Sequence, residues 1–223
     1  MKTPVIDLLG SIEGMEDPHV NSLTLRLQQK IEQNPADERS LLLLGNVYYL
    51  QGQIAQGIET FQKAVSLRPD NAYAHYYIGI SHYRRAEIEE AIAALTKVVT
   101  LAPSMVMAYY WLGIAYFHAG RYEEAREAYE TLLKKNTESH VAHYHAAVIC
   151  LTMRDYEAAR EHLEALVKIG SRDPQVYHKL GRAYWMLNKP TEAAAAYRQG
   201  LALNPDNAPL KEELAELLDV QEP

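Results

Sequence analysis

Leu67-Arg68-Pro69-Asp70-Asn71 returns as Leu101-Ala102-Pro103 and again as Leu203-Asn204-Pro205-Asp206-Asn207. Pro69 and Pro103 are 34 residues apart, and Pro103 and Pro205 are 102 apart, three further steps of the same length. Small residues keep that register at Gly45, Gly79, Gly113, Ala147 and Gly181. A fixed period of this size marks a stacked-repeat architecture and takes precedence over local secondary-structure signals. The register runs without insertion through 38–71, 72–105, 106–139, 140–173 and 174–207, units that open at Glu38, Ala72, Val106, His140 and Pro174.

Within a unit, numbered from its first residue, apolar or small residues occupy positions 4, 7, 8 and 11, then 20, 24 and 27, with a breaker at 32. The third unit shows it as Tyr109, Leu112, Gly113 and Tyr116, the turn Gly120-Arg121-Tyr122, then Ala125, Tyr129 and Leu132. Spacings of three and four place each set on one helix face, so every unit reads as two amphipathic helices. Small residues at 8 and 20 let the pair approach closely. Gly52 and Gly120 suit the left-handed conformation that ends a helix, and Asp173-Pro174 reads as an N-cap followed by an N1 proline, as Pro190 does for a second helix.

This pattern resembles the tetratricopeptide repeat (TPR) family, over residues 38–205. The resemblance implies an all-α, right-handed superhelical solenoid of helix-turn-helix repeats with flanking capping helices. Val20–Gln33 (Leu23, Leu27 and Ile31 on one face) reads as a flanking helix in a stretch from 19 to 37, after a flexible segment, 1–18. Ala208–Val220 (Leu210, Leu214, Leu217, Leu218) reads as the C-terminal cap within 208–223, its polar face suited to a solenoid end. Some residues depart from the family pattern. Gly57 and Gly200 stand where alanine is usual, Thr137 and Ser171 replace the breaker proline, and His75, His82 and His143 occupy apolar positions, where burial with a hydrogen-bond partner is expected.

In TPR arrays the first helices line the concave side, with positions 2, 5, 9, 12 and 13 facing into it. The resemblance therefore implies a partner groove including Tyr49, Tyr73, Tyr76, Ile80, Tyr83, Tyr110, Ile114, Phe117, Tyr144, Val148, His178 and Trp185. Of 16 tyrosines, nine fall on structural positions (48, 109, 116, 122, 129, 156, 177, 184 and 197), six on groove positions, and Tyr77 on neither. Tyrosine offers contact area at low rotamer cost with a water-tolerant tip. An exposed apolar surface of this kind suits an amphipathic helix or an extended segment with apolar anchors, although aromatics at helical spacing also serve as inter-repeat packing. The groove lacks the Lys, Arg and Asn cluster with which some TPR domains grip chaperone carboxylates. Only Asn46, Arg84 and Arg182 have that chemistry, and they do not cluster.

The expected function is a non-enzymatic protein-interaction module: a scaffold, adaptor or chaperone for a protein or peptide segment with apolar anchors. The alternative is a homotypic assembly scaffold, resembling the magnetosome-associated one. There Val5-Ile6-Asp7-Leu8-Leu9, beyond the hinge candidates Gly10 and Gly14, docks into its own or a neighbour's groove; as a frayed terminus it would do nothing. Secretion chaperones with apolar grooves are a further resemblance at repeat level.

Composition narrows the rest. With 22 Lys+Arg against 29 Asp+Glu the formal charge is −7, which argues against a phosphate-neutralising surface and hence against nucleic acid. Residues 1–37 carry three basic and six acidic groups, 206–223 one and six, and 38–205 18 and 17, so the acidity lies at the ends. Apolar residues at 48% suffice for a core. A single cysteine, Cys150, excludes an intramolecular disulfide or a multi-thiolate zinc site and reads as a small buried hydrophobe. His140, His143 and His145 share a helix but do not form a ligand set, so no metal and no cofactor is expected. No phosphate-binding glycine loop or hydrolase motif is present. Asp7 and Glu13 interrupt the N-terminal apolar run and no stretch approaches a membrane span, so the chain reads as cytoplasmic.

Overall fold

A computed structural model of the chain describes residues 18–219. Among the described residues there are twelve α-helices and no strand. They are α1 (Pro18–Gln33), α2 (Glu38–Leu50), α3 (Ile54–Leu67), α4 (Ala72–Arg84), α5 (Ile88–Leu101), α6 (Val106–His118), α7 (Tyr122–Lys135), α8 (His140–Thr152), α9 (Tyr156–Lys168), α10 (Pro174–Met186), α11 (Pro190–Leu203) and α12 (Ala208–Asp219). The fold is thus all-α, built from helical hairpins. α1 opens two residues earlier than the apolar pattern alone indicates. Val5–Leu9 and the docking expected of it lie outside the described residues, as does Val220.

By contacts the described residues divide into two compact units, each larger than a single 34-residue repeat: a first unit up to Ala115 and a second unit from Tyr116. In the first, α2 packs on α3 and α4 on α5, with α1 against α2 and α3 against α4. In the second, α8 packs on α9 and α10 on α11, with α7 against α8, α9 against α10, and α12 on α11.

The 34-residue pattern has a steric origin. A Cβ added at Gly45 would stand 2.7 Å from the Phe61 ring, one at Gly79 2.7 Å from Leu95 Cγ, and one at Gly181 2.2 Å from the Tyr197 ring. Position 8 is small because the residue at position 24 of the partner helix lies directly over it. Phe61, Leu95 and Tyr197 are buried as a result, and they anchor the apolar seams. The first unit's core gathers Leu41, Phe61, Ala64, Ala74 and Ile78. The second unit's gathers Ala147, Leu163, Leu166, Val176, Leu180, Ala183 and Ala196. Leu210 and Leu217 of α12 cover Ala193, Ala194 and Tyr197, while Leu218 stays exposed.

Helix ends follow the chemistry of their caps. The side chains of Asp37, Asn71, Ser139 and Asp173 accept from Ser40, Ala74, Ala142 and Gln175 N–H groups, with Pro174 at the first turn. Each first helix closes on a residue with positive φ at position 15: Gly52 (76°), Ala86 (61°), Gly120 (75°), Arg154 (63°) and Asn188 (58°). In each, that residue and the next return their N–H groups to the last helical turn, as in Gly52 N to Tyr49 O (3.2 Å) and Gln53 N to Tyr48 O (2.8 Å). This is the Schellman arrangement. The corner at Asn136 keeps the extended cap of the proline corners although Thr137 replaces proline. The corner before Ser171 instead closes on Gly170 at φ 90°.

Candidate functional site

In the first unit, α4 carries Tyr73, Tyr76, Tyr77, Ile80, Tyr83 and Arg84. Tyr77, which the repeat pattern leaves unassigned, is the hub. Its ring meets Phe61 (5.2 Å between centroids, stacked), Tyr49 (5.5 Å, edge-on), Tyr73 (4.7 Å) and Tyr76 (5.4 Å, edge-on). Trp111 of α6 is a second support, touching Tyr83 (5.4 Å) and Tyr110 (5.5 Å). Its indole N–H donates to the Tyr76 hydroxyl at 3.1 Å. Asn46 Nδ2 donates to the Tyr73 hydroxyl. Burial raises the hydroxyl pKa of Tyr76, Tyr77, Tyr83 and Tyr110 above the ordinary phenol value, so all four remain neutral.

Four expected groove tyrosines of this unit keep surface: Tyr73 is 38% exposed, and Tyr76, Tyr83 and Tyr110 are half-buried, as is Ile114. Two expectations are corrected. Tyr49 (6% exposed) and Ile80 (4%) are core residues. Tyr49 is covered by the edge of Tyr77 and by the Arg84 guanidinium, whose Cζ lies 5.0 Å from its ring centroid. Helical periodicity gives the face on which Tyr49 lies, but the depth depends on the neighbouring hairpin.

In the second unit, Phe117 is half-buried against Tyr122 (5.6 Å) and His118 (5.8 Å). Tyr144 packs on the core around Ala147, and Lys179 Nζ lies 5.8 Å from its ring centroid. Val148 is half-buried. His178 Nε2 stands 2.9 Å from Glu213 Oε1, and Glu213 also accepts from the Tyr197 hydroxyl at 2.7 Å. Trp185, 40% exposed, borders a hollow of about 280 Å³ with Arg182, Met186, Tyr197, Glu213, Glu216 and Leu217.

The remaining candidates resolve into structural roles. His75, His82 and His143 are hydrogen-bonded but only half-buried, which corrects the burial expected of them. His75 Nε2 contacts Pro69 O (2.9 Å), His82 Nδ1 contacts Glu87 (2.6 Å), and His143 contacts Thr137 O (2.9 Å) and His162 Nδ1 (3.0 Å). His145 instead stacks on Tyr129 at 5.1 Å. Among the described residues no three His, Cys, Asp or Glu side chains converge as metal ligands. Burial pushes the Cys150 thiol up to about 11, so it carries no thiolate at neutral pH. No helix among the described residues is long and apolar enough to cross a membrane.

Tyr77 and Trp111 were the residues that groove positions alone did not indicate. Both occupy position 6 of their 34-residue repeats. That shared column, aromatic in two successive repeats, is the signal that identifies them.

The cytochrome c-type biogenesis protein H TPR domain model matches residues 9–143, and two further tetratricopeptide repeat models match 119–174 and 174–207. No curated protein matches the chain in sequence. Among solved structures the chain is similar to YrrB, described as a TPR protein with an unusual peptide-binding site (TM-score 0.76, 15% identity, 84% of this chain and 96% of that one). It is similar to MamA (0.72, 23%, 77% and 93%) and to PilF of Pseudomonas aeruginosa (0.68, 20%, 89% and 90%). With hairpins at a 34-residue period and family models matching most of its length, the chain belongs to the tetratricopeptide repeat family.

Proposed function

We propose that this chain is a protein-interaction module that holds an apolar or amphipathic segment of a partner protein against the tyrosine face of its first helices. It would act as a scaffold, adaptor or chaperone in the cytoplasm, without catalysis. The observation that supports this most is the arrangement around Tyr77 and Trp111. They hold Tyr73, Tyr76, Tyr83 and Tyr110 in fixed positions while leaving part of each ring at the surface. Rings already immobilised lose little entropy when a partner packs on them. In the second unit, Phe117, Tyr144, Val148 and Trp185 offer a further apolar surface, with His178 Nε2 lying 2.9 Å from the Glu213 carboxylate. The peptide-binding site described for YrrB is consistent with this use of the fold.

The test is a pull-down from native lysate with the wild type and with Tyr76→Glu/Tyr110→Glu. We expect the variant to lose the partners that the wild type retains, because a carboxylate would be placed where apolar surface must be desolvated. Retention of the same partners by a variant whose circular dichroism and melting are intact would refute the assignment.

A further inference from the structure

The first helices of the first unit are nearly free of acid. Across α2, α4 and α6 the only carboxylate is Glu38, and it is taken by Arg68 (2.6 Å) and by Asn71 Nδ2. The carboxylates of the second helices, Glu59 of α3 and Glu89 and Glu90 of α5, are interspersed with Lys63 and Lys97. Two cations, Arg39 and Arg84, remain on the first helices, and both are exposed.

Arg84 is the better placed. It stands eight residues after Tyr76 and one after Tyr83, so the three share one stripe of α4. Its guanidinium is held without being neutralised. Nη1 donates to the Tyr49 carbonyl at 3.3 Å and Cζ sits 5.0 Å from the Tyr49 ring centroid. Among the described residues no carboxylate lies within ion-pair distance of it, whereas Arg85 beside it is paired with Glu87 at 2.8 Å. The fixed cation thus retains unused donors beside an aromatic surface, a geometry that favours a carboxylate.

We infer that the partner segment of the first unit is acidic as well as apolar, with an Asp or Glu side chain bound by Arg84 and a bulky apolar side chain seated among Tyr76, Tyr83 and Tyr110. This rests on the proposed function and names the partner's chemistry. Eight helical residues at about 1.5 Å each separate Tyr76 from Arg84 by about 12 Å, which an extended peptide at about 3.3 Å per residue spans in three or four residues. That is the expected distance in sequence between the acid and the apolar anchor.

The test is selection of phage-displayed random dodecapeptides on the full chain, followed by affinity measurement of a selected peptide and of a counterpart with its acids replaced by amides. We expect enrichment of Asp or Glu three or four residues from Leu, Ile, Phe or Trp. Arg84→Gln should weaken the acidic peptide by about tenfold and the amide counterpart by no more than about twofold. Arg84→Lys should restore part of the difference. Selected peptides that are apolar without acid, or equal losses for both peptides, would overturn the inference and leave the proposed function standing. Unchanged binding of every selected peptide to Tyr76→Glu/Tyr110→Glu would overturn both. Displacement of the selected peptide by a synthetic peptide of residues 1–17 at matching affinity would overturn the assignment to a separate partner.

Discussion

Two glycines at alanine positions of the repeat behave oppositely. A Cβ at Gly57 would meet Gly45 O at 3.5 Å, Tyr49 N at 3.6 Å and Tyr48 Cβ at 3.8 Å, all ordinary contacts. Gly57→Ala should therefore raise stability by about 0.5–1 kcal/mol, because the unfolded chain loses freedom while the helix keeps its packing. At Gly200 the same atom would lie 2.8 Å from Leu210 Cδ1 and 3.2 Å from Tyr177 Cβ, so the fully buried Leu210 would have to shift. Gly200→Ala should cost about 1 kcal/mol or more through overpacking. Urea midpoints at unchanged slope measure both; a gain at Gly200 with a loss at Gly57 would contradict the packing described. The sequence marks both glycines as departures from the repeat but cannot separate them, because the distinction lies in which side chain of the next helix arrives overhead. Tyr49 and Ile80 illustrate the same limit: periodicity assigns their face, and the neighbouring hairpin buries them.

The helices themselves were more legible. Position 8 against position 24 sets how closely each hairpin pairs, and the N-cap Asp173 appears in the sequence as it does in the fold. The position-15 closures were only partly legible. Glycine announces them at 52 and 120, but Ala86, Arg154 and Asn188 adopt the same left-handed conformation because the two returning N–H groups require it. The α8–α9 hairpin also carries an acid response. Burial lowers the pKa of His145 on α8, and burial together with the adjacent His143 lowers that of His162 on α9, against the opposing pull of Glu130, Glu161 and Asp155. Both are held neutral in the fold, so below the ordinary value of about 6.5 the unfolded chain binds more protons than the native state. Their contribution is complete above that pH and is lost as pH falls toward the depressed native values. The melting temperature should drop between about pH 7.5 and 5.5, a range above most carboxylate titration, and His145→Phe/His162→Gln should flatten the drop. A wild-type profile flat across that interval would contradict this account.

At the scale of the molecule, the net charge of −7 conceals a pattern. The acidity lies toward the two ends, the repeats are close to neutral, and within the first unit Glu38 is the only acid on α2, α4 and α6. The period and the tyrosine-rich first helices are legible in the sequence alone. The supports that fix those tyrosines, Tyr77 and Trp111, share a repeat position in the sequence, but their role depends on which rings they meet in the fold. The central claim is that this aromatic face receives a partner. Photo-crosslinking tests it most directly, with p-benzoylphenylalanine placed at Tyr76 or Tyr110 and, as controls, at Lys63 or Lys97, which are exposed on α3 and α5. The account predicts a partner adduct from positions 76 and 110 and none from 63 or 97. Adducts confined to 63 and 97 would contradict it.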